Sequence, residues 1–207
     1  MDVPSAALTE TLIHRPDSYV DRLSMGSVFG NERPVELELG SGDGTFLAHW
    51  AALYPERNFL GIERLLGRLR KLDRKARRLG LNNIRLLRLE ARYLLACLVP
   101  DQSVEVIHVY FPDPWPKRRQ QKNRLINEEF AVAAARILKP GGLLYLRTDD
   151  RKYFDRMTSV FAASPRFRAV ETPPELQKVV TDFEKDFNDR GITTCRAAYS
   201  LQPGPMV

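Results

Sequence analysis

The chain has 207 residues, of which 43% are hydrophobic and 28% are charged, and its formal net charge is +6. This composition is typical of a soluble globular protein that buries a substantial core. No apolar run approaches the roughly 20 residues of a membrane-spanning helix. The N-terminus also lacks the basic and then apolar segments of a secretory signal.

Cysteine and histidine are sparse. Cys97 and Cys195 lie far apart with no CxxC pairing, which favours a reducing compartment, and we expect a cytoplasmic protein. His14, His49 and His108 have no partners at the short spacings that metal ligands use, so we expect no metal site. The sequence leaves monomer and homodimer open.

The positive charge is concentrated in two segments. Residues 64–80 carry eight basic residues and one acid, and residues 117–124 carry five basic residues and no acid. Such clusters favour an anionic partner, with nucleic acid first and an acidic membrane surface second. A solvated helix face followed by a polar loop would explain the same charges without a partner.

Hydrophobic periodicity predicts an irregular N-terminal arm over residues 1–33 and one domain over residues 34–207. The predicted strands are 35–40, 58–63, 84–90, 104–111 and 143–149, with further candidates at 167–171 and 193–200. The predicted helices are 45–55, 64–79, 91–99, 123–138 and 151–163, and residues 181–191 are a polar connection. This alternation predicts an α/β fold, a parallel sheet with helices on both faces, whose ligands lie at the carboxyl ends of the strands.

The first strand runs into a glycine-rich loop. Gly40, Gly42 and Gly44 occupy alternating positions between a predicted strand and a predicted helix. In that context, a glycine-rich loop indicates a ligand-binding turn. Glu63 ends the second strand, at about the 20-residue distance expected of an acid that binds a ribose diol. The pattern predicts a cofactor with a nucleoside moiety.

A dinucleotide and S-adenosylmethionine both fit this layout, and charge distinguishes them. A pyrophosphate needs bare backbone amides, whereas a sulfonium and an ammonium need acids nearby. Glu38, Asp43 and Asp113 supply such acids, which favours S-adenosylmethionine. Glu90 and Ala91, at the end of the third strand, would then lie near the adenine. Each acid taken singly is also compatible with a polar strand end or a turn.

The fourth strand ends in FPDPWP. Pro112, Pro114 and Pro116 each restrict the residue before them, so we expect Phe111, Asp113 and Trp115 to be extended in a stiff loop. A proline-rich exit with Trp115 as a core anchor is the structural alternative.

Basic residues follow this loop at once, beginning with Lys117 and Arg118 and continuing with Arg119, Lys122 and Arg124. Beside a rigid loop holding an acid and an aromatic residue, they fit a phosphate-bearing substrate.

The segment FPDPWPKRRQQKNRL resembles the signature of the bacterial tRNA (guanine-N7)-methyltransferases. The resemblance covers roughly residues 27–199 and includes SVFGNERPVELELGSGDGTFL, NFLGIER, LRTD and TDFEKDFNDRG, in the family's order. It implies a Rossmann-like class I methyltransferase fold of seven strands, S-adenosylmethionine as methyl donor, and 7-methylguanosine in the tRNA variable loop as product.

The resemblance also assigns residues. Glu38, Glu63, Glu90 and Asp113 fall on cofactor positions, and Arg64 follows the ribose-binding acid. Lys117, Asp149 and the segment from Thr181 to Glu184 fall on substrate positions. Position 90 is Glu, where a shorter Asp or Asn is expected.

Guanine N7 carries a lone pair and no proton, so its methylation needs positioning and a negative field rather than a general base. Asp113 is the expected catalytic residue.

Three other functions fit part of the pattern. An exocyclic amino-methyltransferase has a similar acid, proline and aromatic residue after the same strand, but not the basic run or the T-x-F-E segment. A nicotinamide-dependent oxidoreductase would favour a third glycine and fewer acids near the loop. A non-catalytic RNA-binding module would need neither the acids nor the intact glycine loop.

Overall fold

The strands of the computed structural model, which describes residues 10–203, form one sheet. They are β1 (Val35–Leu39), β2 (Asn58–Ile62), β3 (Ile84–Leu87), β4 (Val104–Tyr110), β5 (Leu138–Thr148), β6 (Phe167–Val170) and β7 (Cys195–Leu201). Their order is β3-β2-β1-β4-β5-β7-β6. The first five strands are parallel, and β7 runs antiparallel to both β5 and β6. The predicted seven-stranded, mostly parallel sheet is therefore confirmed.

Helices cover both faces of this sheet. They are α1 (Met25–Phe29), α2 (Thr45–Leu53), α3 (Leu66–Arg78), α4 (Ala91–Tyr93), α5 (Glu128–Ile137), α6 (Arg151–Ala162), α7 (Pro174–Lys178) and α8 (Asp182–Asp189), with a π-helical turn at Leu94–Leu98 and a 3-10 turn at Arg118–Asn123. One core cluster holds side chains of α1, α5 and α6, and the other holds side chains of α2, α3 and α7. β1 and β2 are buried along their whole length because both of their faces are covered.

Among the differences between the structure and the sequence prediction, three shorten a helix, add a helix and order part of the N-terminal arm. The predicted helix over 123–138 begins only at Glu128, where Asn127 caps it by accepting the Phe130 N–H. The polar connection at 181–191 contains α8, whose cap is Thr181. Thr181 and Glu184 have the spacing of an N-terminal capping box, a signal that predicts this helix in hindsight. The N-terminal arm is not merely irregular, since Ile13 bridges to Leu86 beside β3.

A polar network lies buried between β1, β4 and α2. Glu36, which is 5% exposed, accepts hydrogen bonds from Arg57 Nε (2.6 Å) and Trp50 Nε1 (3.0 Å), and its Oε2 lies 2.7 Å from His108 Nε2. His108 Nδ1 lies 2.7 Å from the Tyr110 hydroxyl. Burial alone would raise the pKa of Glu36, but its hydrogen bond with His108 and the neighbouring charges lower it. The carboxylate is therefore ionised, and every member of the network has a partner.

Replacing Glu36 by alanine should destabilise the fold strongly, because it leaves Arg57, Trp50 and His108 without their common acceptor. We expect the free energy of unfolding to fall by about 3–5 kcal/mol, measured by urea denaturation. Glu56→Ala is the matched control, since Glu56 is exposed, and it should change the value by less than about 0.5 kcal/mol. Equal, small losses in both variants would contradict the structural role of the network.

Candidate active site

Two cavities meet at the carboxyl ends of β1 and β4. The first has a volume of about 380 Å³ and the second about 280 Å³, and both are lined by Gly40, Arg68 and residues 110–113. The first cavity also includes the predicted residues Glu63, Arg64, Glu90 and Ala91. The second also includes the predicted residues Glu38, Gly42, Asp149 and Thr181. Asp113 lies where the two cavities join.

Four predicted site residues line neither cavity. Gly44 begins α2 with a φ of +79°, and a Cβ there would lie 2.0 Å from Leu72 Cδ1, so this glycine is required for packing against α3. Lys117 and Arg118 are exposed at the start of the 3-10 turn. Glu184 is completely buried.

The glycine loop and Glu63 hold each other in place. The N–H of Gly42, whose φ is +56°, donates to Glu63 Oε2 at 3.1 Å. The N–H of Leu65 donates to Glu63 Oε1 at 2.7 Å. Because two backbone amides orient the carboxylate, Glu63 presents its remaining lone pairs to the first cavity in a fixed direction.

Glu38 is the most perturbed acid of the site. It is 4% exposed, and its Oε2 has no hydrogen-bond partner among the described residues. The pKa of Glu38 is raised to about 8, chiefly by burial; the charge of Arg147 opposes this rise, and the negative charges of Asp43 and Glu63 add to it. An unpartnered buried carboxylate oxygen in a cavity is suited to a cationic ligand or a proton.

Glu90 has a local structural task. Its Oε2 accepts the Tyr93 N–H at 2.9 Å and so caps α4. The residue is nevertheless exposed and lines the first cavity together with Ala91.

The FPDPWP loop corrects the expectation of an extended backbone. Phe111 has a φ of +50° and Trp115 a φ of +43°, both outside the extended region that a following proline favours. The Phe111 N–H donates to the Arg147 carbonyl at 2.8 Å, and its ring packs against Phe187. At Phe111 these tertiary contacts override the local preference, and such strain is typical of a functional loop. Trp115 is half-buried and lines the first cavity.

Not all basic residues after this loop face outward. Arg124 donates from Nε to the Pro114 carbonyl at 2.7 Å, and its guanidinium lies 4.8 Å from the centre of the Tyr153 ring. Arg92 donates to the Lys122 carbonyl at 3.0 Å and also to that of Arg124. The sequence had suggested that Arg124 binds phosphate. In the structure, Arg124 holds the loop in place instead.

A buried ion pair attaches the C-terminal segment to the sheet. Arg147, which is 1% exposed, donates from Nη1 to Glu184 Oε2 at 3.0 Å and to the Val179 carbonyl at 2.7 Å. The other oxygen of Glu184 accepts from Arg196. Thr181 Oγ1 accepts the Glu184 N–H at 3.0 Å. Both carboxylate oxygens of Glu184 are thus occupied by arginines, and α8 is held against the second cavity.

Sequence reasoning missed Arg147 and an aromatic cluster at the same place. Phe183, which is 47% exposed, and Phe187 line the second cavity beside Phe111, at centroid distances of 6.4 and 5.6 Å from its ring. Arg68 lies 5.9 Å from the centre of the Phe183 ring. An arginine inside the apolar run LLYLRT was the signal that could have pointed to Arg147.

Two further observations concern the described residues, 10–203. No helix among them is both long and apolar enough to cross a membrane. They also contain no group of three or more His, Cys, Asp or Glu side chains that could hold a metal ion.

Solved structures with similar folds include methyltransferases. A 16S rRNA methyltransferase, KamB, aligns with a TM-score of 0.61 and 15% identity, covering 84% of this chain and 91% of its own. TrmN from Thermus thermophilus aligns with a TM-score of 0.56 and 22% identity, covering 83% of this chain and 45% of its own. At these identities, the comparison supports the fold.

Sequence comparison identifies the family. Residues 32–197 match Methyltransf_4, described as a putative methyltransferase. The tRNA (guanine-N(7)-)-methyltransferase of Alkalilimnicola ehrlichii is 35% identical over 86% of this chain and 76% of its own length. That of Rubrobacter xylanophilus is 35% identical over 84% of this chain and 79% of its own. The chain therefore belongs to the Methyltransf_4 family and, within it, to the tRNA (guanine-N(7)-)-methyltransferases.

Proposed function

We propose that this protein transfers a methyl group from S-adenosylmethionine to N7 of a guanosine in tRNA, giving 7-methylguanosine in the variable loop, in the cytoplasm. The observation that carries the proposal is the position of Asp113, which lines both cavities at their junction. The first cavity then holds the adenosine part of the donor, and the second holds its amino-acid end and the base, so the transferred methyl group lies beside this carboxylate. The relatives' common activity supports the same assignment.

The side chains present fit the methyl donor. When bound, S-adenosylmethionine supplies an electrophilic methyl group on a sulfonium. Glu38, with its unpartnered Oε2, and the backbone of Gly40 and Gly42 would hold the charged amino-acid portion. Glu63 would accept from the ribose hydroxyls, with Arg64 beside it. Glu90 and Ala91 would border the adenine.

The side chains around the second cavity fit the chemistry of methyl transfer to guanine N7. Guanine N7 loses no proton when it is methylated, so no side chain has to act as a general base. Asp113 provides a negative field where positive charge moves from the sulfonium to the purine, and it orients the base. Asp149 and the Thr181 hydroxyl are acceptors suited to the N1 and N2 donors of guanine.

Glu184 contributes to this site by holding α8 in position. Its buried pairs with Arg147 and Arg196 hold the start of α8, and with it Thr181, against the second cavity. A direct contact between Glu184 and the substrate, which the family resemblance implies, requires this completely buried side chain to become accessible.

Lys117 and Arg118 would bind tRNA phosphates next to the loop, since both are exposed. Charge-assisted contacts of this kind fix the register of the RNA without reading its sequence.

Incubation with labelled S-adenosylmethionine and unmodified tRNA, followed by nucleoside analysis, tests the proposal. We expect label in 7-methylguanosine. Label in a nucleoside methylated on an exocyclic amine would instead favour the amino-methyltransferase alternative, and absence of label from RNA would overturn the proposal.

Asp113→Ala should remove most of the activity and leave the fold intact, because the side chain is exposed. We expect kcat to fall by about 10²–10³-fold, with an unchanged circular dichroism spectrum. Asp155→Ala, which removes an exposed carboxylate of α6, is the control and should retain normal turnover. Near-normal turnover of Asp113→Ala would exclude the catalytic role.

Binding of S-adenosylhomocysteine, which retains the ammonium, should release a proton. With its pKa at about 8, Glu38 is mostly protonated at pH 7 in the free protein, and the ammonium selects the carboxylate. Affinity should therefore rise between pH 6 and pH 8, by at most about tenfold per pH unit.

Calorimetry in two buffers of different ionisation enthalpy measures both the affinity and the released proton. Glu38→Gln should bind more weakly and show no such pH dependence. Equal affinity of the unsubstituted protein at pH 6 and pH 8 would contradict the assignment of Glu38 to the ammonium.

A further inference from the structure

A groove of about 1070 Å³ lies between α3 and residues 11–19 of the N-terminal arm. Asp73 of α3 holds the arm, since it accepts the Leu12 N–H at 2.8 Å and the Thr11 hydroxyl at 3.2 Å. The arm also pairs with β3, because the Leu86 N–H donates to the Leu12 carbonyl at 2.9 Å. The groove is therefore a built feature at the β3 edge of the sheet, distinct from the two cavities.

The walls of the groove are strongly basic. Four of its arginines are exposed and form no ion pair with any carboxylate in residues 10–203, namely Arg15, Arg70, Arg74 and Arg88. Asp73 is the only acid of α3, and it is 5% exposed and engaged by the arm and by Arg77. The groove therefore presents uncompensated positive charge to solvent.

This charge pattern is unfavourable for an isolated helix. Arg70 and Arg74, and likewise Lys71 and Lys75, are like charges four residues apart, each pair costing about 0.2–0.5 kcal/mol. The first turn of α3 contains no acid that would complement the helix dipole. A helix face that only meets water usually mixes the two signs. A polyanionic ligand would give these residues a favourable partner.

The basic face is continuous with the active site. Arg64, two residues before α3, lines the first cavity, and Arg68, in the first turn of α3, lines both cavities that contain Asp113. The 13 residues of α3 extend about 20 Å at 1.5 Å per residue. Tyr19, which is 50% exposed, and His14 add ring surfaces to the groove.

We propose that this groove and the basic face of α3 bind the sugar-phosphate backbone of the substrate tRNA at a distance from the reacting guanosine. The proposal rests on the function proposed above. Nucleic acid is favoured over an anionic membrane because the apolar face of α3, at Leu69, Leu72 and Ala76, is completely buried in the core and cannot insert into lipid.

The test is the double variant Arg70→Gln/Arg74→Gln, in which glutamine keeps the helix propensity and removes two charges. Binding to tRNA is measured from 50 to 300 mM salt, together with steady-state methylation. We expect the Kd and KM for tRNA to rise about tenfold or more and the slope of log K against log salt to fall by about 1–2. The kcat at saturating tRNA and the Kd for S-adenosylhomocysteine should stay unchanged.

Arg33→Gln/Arg168→Gln is the matched control, since it removes two exposed arginines away from the groove, one before β1 and one on the opposite edge strand β6. It should leave the salt slope unchanged. Arg15→Gln/Arg88→Gln removes two arginines from other parts of the groove and should also raise the Kd and KM for tRNA and lower the salt slope. If one of the two groove variants fails to fold, the other still tests the proposal.

The outcomes separate this inference from the proposed function. If the unsubstituted protein forms no 7-methylguanosine in tRNA, both fail. If it forms the product but the groove variants keep its KM and salt slope, only the groove assignment is overturned. Binding to phosphatidylserine vesicles that is lost in the groove variants, with tRNA binding unchanged, would overturn it in favour of a membrane surface.

Discussion

The buried contact between Arg147 and Glu184 is the interaction on which the site depends. It joins the end of β5 to the start of α8, and both side chains are at most 1% exposed. A buried charge without its partner is costly, so the pair can persist only while α8 lies against the sheet. That position brings Thr181 and Phe183 to the second cavity, which Glu38 of β1 and Asp113 of the loop after β4 also line. The guanidinium of Arg147 also opposes the rise in the pKa of Glu38.

A second set of contacts fixes the other side of the site. Glu63 is oriented by the amides of Gly42 and Leu65, which connects the loop after β1 to the end of β2. Phe111 keeps its positive φ angle because a hydrogen bond to the Arg147 carbonyl and ring contacts with Phe183 and Phe187 fix it, and Trp115 also has a positive φ angle. Asp113 therefore lies between two residues with positive φ angles, in a loop that Arg124 holds through its hydrogen bond to the Pro114 carbonyl. Such preorganisation is what a reaction without proton transfer requires of a protein.

Sequence reasoning succeeded where the determinants are local. The alternation of strands and helices follows from hydrophobic periodicity, and Glu38, Glu63 and Asp113 lie at the same pair of cavities because each stands at or just after the end of a strand. It failed where the determinants are distant in sequence. The buried ion pairs of Glu184 were not predicted because its partners lie 37 and 12 residues away, and the arm reads as irregular because Asp73 lies 61 residues from Leu12. The pre-proline preference of Phe111 was overridden by contacts of the same long-range kind.

The arrangement of acids explains how one edge of the sheet can serve two ligands. Asp113 belongs to both cavities, Glu38 and Asp149 to one, and Glu63 to the other. A structure of the protein with S-adenosylhomocysteine and unmodified tRNA tests this arrangement most directly. We expect the ribose at Glu63, the ammonium at Glu38, and a guanine whose N7 faces the thioether sulfur beside Asp113. A guanine presenting its exocyclic amine to the sulfur, or a cofactor bound away from Glu38 and Glu63, would contradict it.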